Sequence, residues 1–69
     1  MTSTQLRADA DSLRLWADTE DRLARERGGQ DALRLRAQAD GRRAQANALD
    51  DQAQALQRAE FLAELEAAR

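Results

Sequence analysis

The stretch RAQADGRRAQANALDDQAQAL, Arg36 to Leu56, places alanines two apart at Ala37 and Ala39, at Ala44, Ala46 and Ala48, and at Ala53 and Ala55. Alternation of this kind marks a half-buried strand. The residues between these alanines are Gln38, Gln45, Asn47 and Gln54, and the stretch is rich in Ala, Gln and Arg, which are helix formers. On a helix, residues two apart point about 200° apart, so the alternation resolves into two interleaved helical stripes. One holds Leu35, Ala39, Ala46, Leu49, Ala53, Leu56 and Ala63, interrupted at Arg42. The other holds Leu33, Ala37, Gly41, Ala44, Ala48, Ala55, Ala59 and Leu62. They lie on opposite sides, so this helix is built to sit between two neighbours. Gly and Ala along the second stripe allow a neighbouring backbone to come close, near the short end of the usual 8–10 Å range.

The rest of the chain agrees with helix. Its 69 residues include no Ile, Val, Tyr, Pro, Lys, Cys or His, and the apolar content is nearly all Leu and Ala. Strands favour β-branched and aromatic residues, and only three Thr and two aromatics are available. The fold class is therefore all-α, as one domain over 1–69. The Ala/Arg/Asp bias without Lys fits a GC-rich bacterial or phage coding sequence. The absence of Cys fits a reducing compartment, and with no targeting segment in view a cytoplasmic location is expected.

Helix boundaries follow from caps and breakers. Thr2 with Gln5 has capping-box spacing. A stripe at Leu6, Ala10, Leu13, Trp16, Ala17, Leu23 and Ala24 follows at helical steps, with Trp16 read as core. Arg22, Arg25 and Arg27 suit a C-terminus, Gly28-Gly29 stops the helix, and Asp31 is placed to cap the next one. The expected fold is a two-helix antiparallel hairpin: a helix over about 3–27, a turn at Gly28-Gly29, and a longer helix over about 30–68, assembling into a helical bundle. The alternative is a three-helix bundle with a second break at Asp40-Gly41. The segments DSLRLWA (Asp11–Ala17) and DALRLRA (Asp31–Ala37) echo one another, which similar helix requirements in a low-complexity chain explain. In the hairpin, residue 3 is expected beside roughly residue 54. About 15 residues, or 22 Å of helix, then overhang with Leu56, Phe61, Leu62 and Leu65.

Charge is segregated. Residues 1–21 hold two Arg and five acids, 22–43 seven Arg and three acids, and 44–69 two Arg and five acids. A hairpin therefore has a basic elbow and an acidic open end. Chemistry is sparse. Without His, Cys, Tyr or Lys, most acid–base and nucleophile candidates are missing. Ser3 and Ser12 have no base nearby in sequence. Asp50-Asp51 and Glu60 with Glu64 read as solvated faces, and the Glu-x-x-His unit of di-iron bundles cannot be written here. No enzyme activity, cofactor or metal is expected. No apolar run is long enough for a membrane span, and the Phe61 segment is too acidic for a surface-lying helix.

A chain this short buries only about 60% of its unfolded surface. With disulfide and His-metal staples ruled out, association remains. The expected function is a non-enzymatic protein–protein interaction module, as homo-oligomer or as small subunit, adaptor or chaperone of a bacterial or phage assembly. Its contact residues are Leu56, Phe61, Leu62, Leu65, Leu33, Ala37, Ala44, Ala48, Ala55 and Ala59. The alternative is a nucleic-acid-binding hairpin dimer, with Arg22, Arg25, Arg27, Arg34, Arg36, Arg42 and Arg43 contacting phosphates. The absence of a stacking aromatic and the net charge of −2 count against it. The architecture is similar to that of small homodimeric four-helix plasmid regulators and of small hairpin co-chaperones of type III secretion. No motif residue is shared with either.

Overall fold

A computed structural model describes residues 2–69. It contains α1 (Ser3–Arg27) and α2 (Gly29–Ala67), packed as an antiparallel hairpin 61 × 13 × 13 Å in extent. There is no strand among the described residues, and no third helix. Gly41 lies inside α2, with open space where a Cβ would sit. A lone Gly inside a long Ala-rich helix costs only about 1 kcal/mol, too little to break a helix packed along its length.

The capping box forms as expected. The Thr2 hydroxyl accepts from the Gln5 amide at 3.2 Å, and the Gln5 side-chain oxygen accepts from the Thr2 amide at 2.8 Å. Gly28 alone separates the two helices. Its φ of 68° and ψ of −178° lie in a region that essentially only Gly adopts. Gly29, at φ 63°, also needs the freedom of Gly. Asp31 does not cap α2. Gly28 takes the cap position without any side-chain bond, its carbonyl accepting from Ala32 at 3.2 Å, and Asp31 sits three residues on, within the first turn. There it faces Arg34 at 3.6 Å and complements the helix dipole.

The helices meet along one seam. On α1 it runs through Ser3, Leu6, Ala10, Leu13, Ala17, Glu20 and Ala24; on α2 through Ala32, Leu35, Ala39, Arg42, Ala46, Leu49, Ala53 and Leu56. Every step is three or four, the 3.5-residue repeat of a left-handed coiled coil. Each heptad has an Ala in one of its two seam positions, except that Ser3 begins the first. These alanines are the deepest residues, with Ala10, Ala17, Ala39, Ala46 and Ala53 at zero exposure. Leu6 is also buried, at 6% exposure, while Leu13, Leu35, Leu49 and Leu56 flank the alanines half-buried.

Three expectations are corrected here. Trp16 is not core but 57% exposed on the flank of the seam. Ala63 is exposed because α2 has by then outrun α1. The register also runs further than a simple fold-back gives, for Ser3 donates to Glu60 at 3.2 Å rather than sitting beside residue 54. Side chains lean toward their own helix N-terminus. In an antiparallel pair, those of α1 lean toward the open end and those of α2 toward the elbow. Contacting residues are thus farther along the chain than backbone level alone suggests. The overhang shrinks to residues 61–67, about 10 Å of helix, and Leu56 belongs to the seam.

The sequence echo carries no structural equivalence. Leu13 is half-buried and Leu15 exposed, whereas in the second segment Leu33 is exposed and Leu35 half-buried. The two segments face the seam with opposite members of the Leu pair.

Candidate functional site

The two long edges of the hairpin are built differently. One is laced by charge. Arg7 donates to Gln57 at 2.7 Å, Arg14 binds Asp50 and donates to Asn47 at 3.1 Å, and Arg43 reaches Asp21 at 2.5 Å and Asp18 at 3.1 Å. Asp21, and then Asp18, raise the pKa of Arg43 above its ordinary value, because both favour the charged guanidinium. At the other edge, Trp16 lies flat beneath the Arg42 guanidinium, 3.7 Å from ring centroid to carbon. Arg42 also pairs with Glu20, which is only 4% exposed. The apparent interruption of the α2 stripe at Arg42 is therefore filled by an ion pair set into the seam. Two groups hold Arg42: the Glu20 carboxylate and the Trp16 ring.

Of the seven elbow arginines, Arg42 and Arg43 turn inward to α1 carboxylates, and Arg34 faces Asp31. Arg22, Arg25, Arg27 and Arg36 make no ion pair among the described residues. Two open depressions mark the elbow, one lined by Arg27, Asp31, Arg34, Leu35 and Gln38, the other by Asp21, Arg25 and Arg36. Ser3, which has no partner nearby in sequence, is tied across the seam to Glu60. No group of three or more carboxylates gathers among the described residues in an arrangement that could hold a metal ion. No helix among them is long and apolar enough to cross a membrane.

The largest feature is an apolar surface without a partner. Leu33, Ala37, Gly41, Ala44, Ala48, Ala55, Ala59 and Leu62 are all exposed, along the side of α2 turned away from α1. Beyond the reach of α1 it continues into Phe61 and Leu65. Leu33 is 66% exposed, Phe61 58%, Leu62 55% and Leu65 48%. Of the expected contact residues, only Leu56 is drawn into the hairpin. The total accessible surface is 5262 Å². A compact monomer of 7.7 kDa would show about 4300 Å². The hairpin therefore leaves about 900 Å² more in water than a chain of its size normally does. Contiguous exposed apolar surface of this kind marks contact sites.

No protein-family model, no curated protein and no solved structure matches the chain.

Proposed function

We propose that this chain is a non-enzymatic protein–protein interaction module: a rigid helical hairpin that works by presenting the outer face of α2 to another helical surface. Its setting is that of a homo-oligomer, or of a small cytoplasmic subunit, adaptor or chaperone in a bacterial or phage assembly. One observation carries the reading. The hairpin satisfies its own seam with alanines and leaves Leu33, Phe61, Leu62 and Leu65 about half or more exposed. Full burial of such a side chain is worth roughly 1.5–3 kcal/mol, so completing it from half-burial adds about 1 kcal/mol each. Four of them, counted on both members of a symmetric pair, supply about 8 kcal/mol, the scale of a micromolar contact.

The unpaired Arg22, Arg25, Arg27 and Arg36 keep the nucleic-acid alternative open to test. Binding of RNA or DNA at low salt that falls steeply as salt rises would favour it.

The test of the main reading is Leu62→Glu, followed by particle mass and by helicity from circular dichroism. Loss of assembly or of partner capture with helicity kept supports a docking surface. Collapse of helicity in an isolated monomer would mean that Leu62 is needed by the hairpin itself, and the reading would fail.

A further inference from the structure

Resting on the reading above, we infer that the occupant of the α2 outer face is a second copy of this chain, laid antiparallel on a two-fold axis through Ala48. Apart from Ala44, which is level with Gln52, the stripe is close to a palindrome about that residue. Ala55 lies seven residues after Ala48 and Gly41 seven before; Ala59 lies eleven after and Ala37 eleven before; Leu62 lies fourteen after and Leu33 fifteen before. In an antiparallel pair centred on Ala48, Gly41 of one copy is level with Ala55 of the second, Ala37 with Ala59, and Leu33 with Leu62. Large side chains close the two ends, while Gly and Ala line the middle, where two backbones must approach. A C2 interface is self-complementary in this way, each contact occurring twice.

Charge chooses the same orientation independently. The elbow segment 22–43 has an excess of four positive charges, and the segments of the open end, 1–21 and 44–69, each an excess of three negative ones. Antiparallel copies lay elbow against open end, whereas parallel copies would stack elbow on elbow. Along the stripe, the second copy's Arg58 comes near Asp40 and its Glu66 near Arg34, leaning being toward each N-terminus. Among the described residues Arg58 and Glu66 make no ion pair. Such complementarity steers orientation more than it adds affinity.

The length agrees. The face runs from Leu33 to Leu65, about 48 Å of helix, most of the 61 Å extent of the rod, so a second copy would be held along nearly its whole length.

The chain has no cysteine, so single cysteines report positions cleanly. Ala48→Cys, Leu33→Cys and Leu62→Cys all alter exposed positions, and circular dichroism checks that each variant stays helical. A short bismaleimide should join Ala48→Cys to itself. Leu33→Cys and Leu62→Cys should be silent alone, their like residues lying roughly 45 and 42 Å apart, yet should give a covalent heterodimer when mixed. Self-linking of both end variants would show parallel copies and overturn the inference, while leaving the contact reading intact. A dimer by sedimentation that none of the three cysteines traps uses another face, which also overturns it. A chain that stays monomeric overturns self-association, and the Leu62→Glu test then decides the broader reading alone.

Discussion

Replacing Arg42 with Ala removes two contacts at once: the ion pair to Glu20 and the cover over the Trp16 ring. Glu20 is 4% exposed, so its carboxylate is left in the alanine seam with no partner. Stripping one member from a buried pair costs about 3–5 kcal/mol. Here the Arg42 side chain is itself 27% exposed, and the rod is only two helices thick. Glu20 can swing partly into water, so about 2–3 kcal/mol is expected, including about 0.5 kcal/mol from the cation–π contact. The double change Glu20→Leu with Arg42→Leu removes both charges and extends the apolar seam. Replacing a buried pair with hydrophobic residues is often neutral or stabilising by about 1–4 kcal/mol. Stability should therefore fall in Arg42→Ala and return to or pass the wild-type level in the double variant. Urea titration followed by circular dichroism reads both, and Glu20→Ala with Glu20→Ala/Arg42→Ala completes a cycle for the coupling energy. A loss under about 0.5 kcal/mol in Arg42→Ala, or a coupling near zero, would refute the claim that this pair is an energetic part of the seam.

At the elbow, Gly28→Ala with Gly29→Ala forces two L-residues into positive φ at about 1–2 kcal/mol each. That favours one continuous helix over residues 3–67, so small-angle scattering should show a particle near 98 Å long rather than 61 Å; an unchanged compact profile would contradict the hinge. Gly41→Ala meets open space and no positive φ, so within one hairpin it should add about 0.5–1 kcal/mol of stability. If α2 packs closely on a second copy at that point, the same methyl should weaken dimerisation, and melting measured across a concentration series separates the two effects. Thr2→Ala removes the capping hydroxyl and should cost about 1 kcal/mol, read by thermal melting.

Helix ends were legible because their signals are local: Thr2 with Gln5 opens α1, and adjacent glycines at 28 and 29 close it. The two-sided character of α2 was legible because alanines two apart can satisfy a helix only as opposite stripes. Ser3, Glu20 and Arg42 were missed as seam residues because a search for apolar positions passes over polar ones. The signal was present in the spacing. Glu20 lies three after Ala17 and four before Ala24, and Arg42 stands likewise between Ala39 and Ala46. Carrying a strict three–four step through the charges would have found both, and with them the pairing of the two helices. Trp16 was misread for the converse reason: it is large and apolar, but falls one position off that repeat. The registry error came from treating side chains as level with their own Cα atoms.

The measurement that bears most directly on the central claim is sedimentation equilibrium of the untagged chain across the micromolar range, paired with thermal melting at each concentration. A face as extensive as that from Leu33 to Leu65 predicts a mass near 15.4 kDa, twice the 7.7 kDa of one chain, with a melting temperature that rises with concentration; a poorly folded monomer that becomes helical only with a protein partner would also fit an unpartnered face. A 7.7 kDa particle that melts sharply, at the same temperature at every concentration, would contradict it.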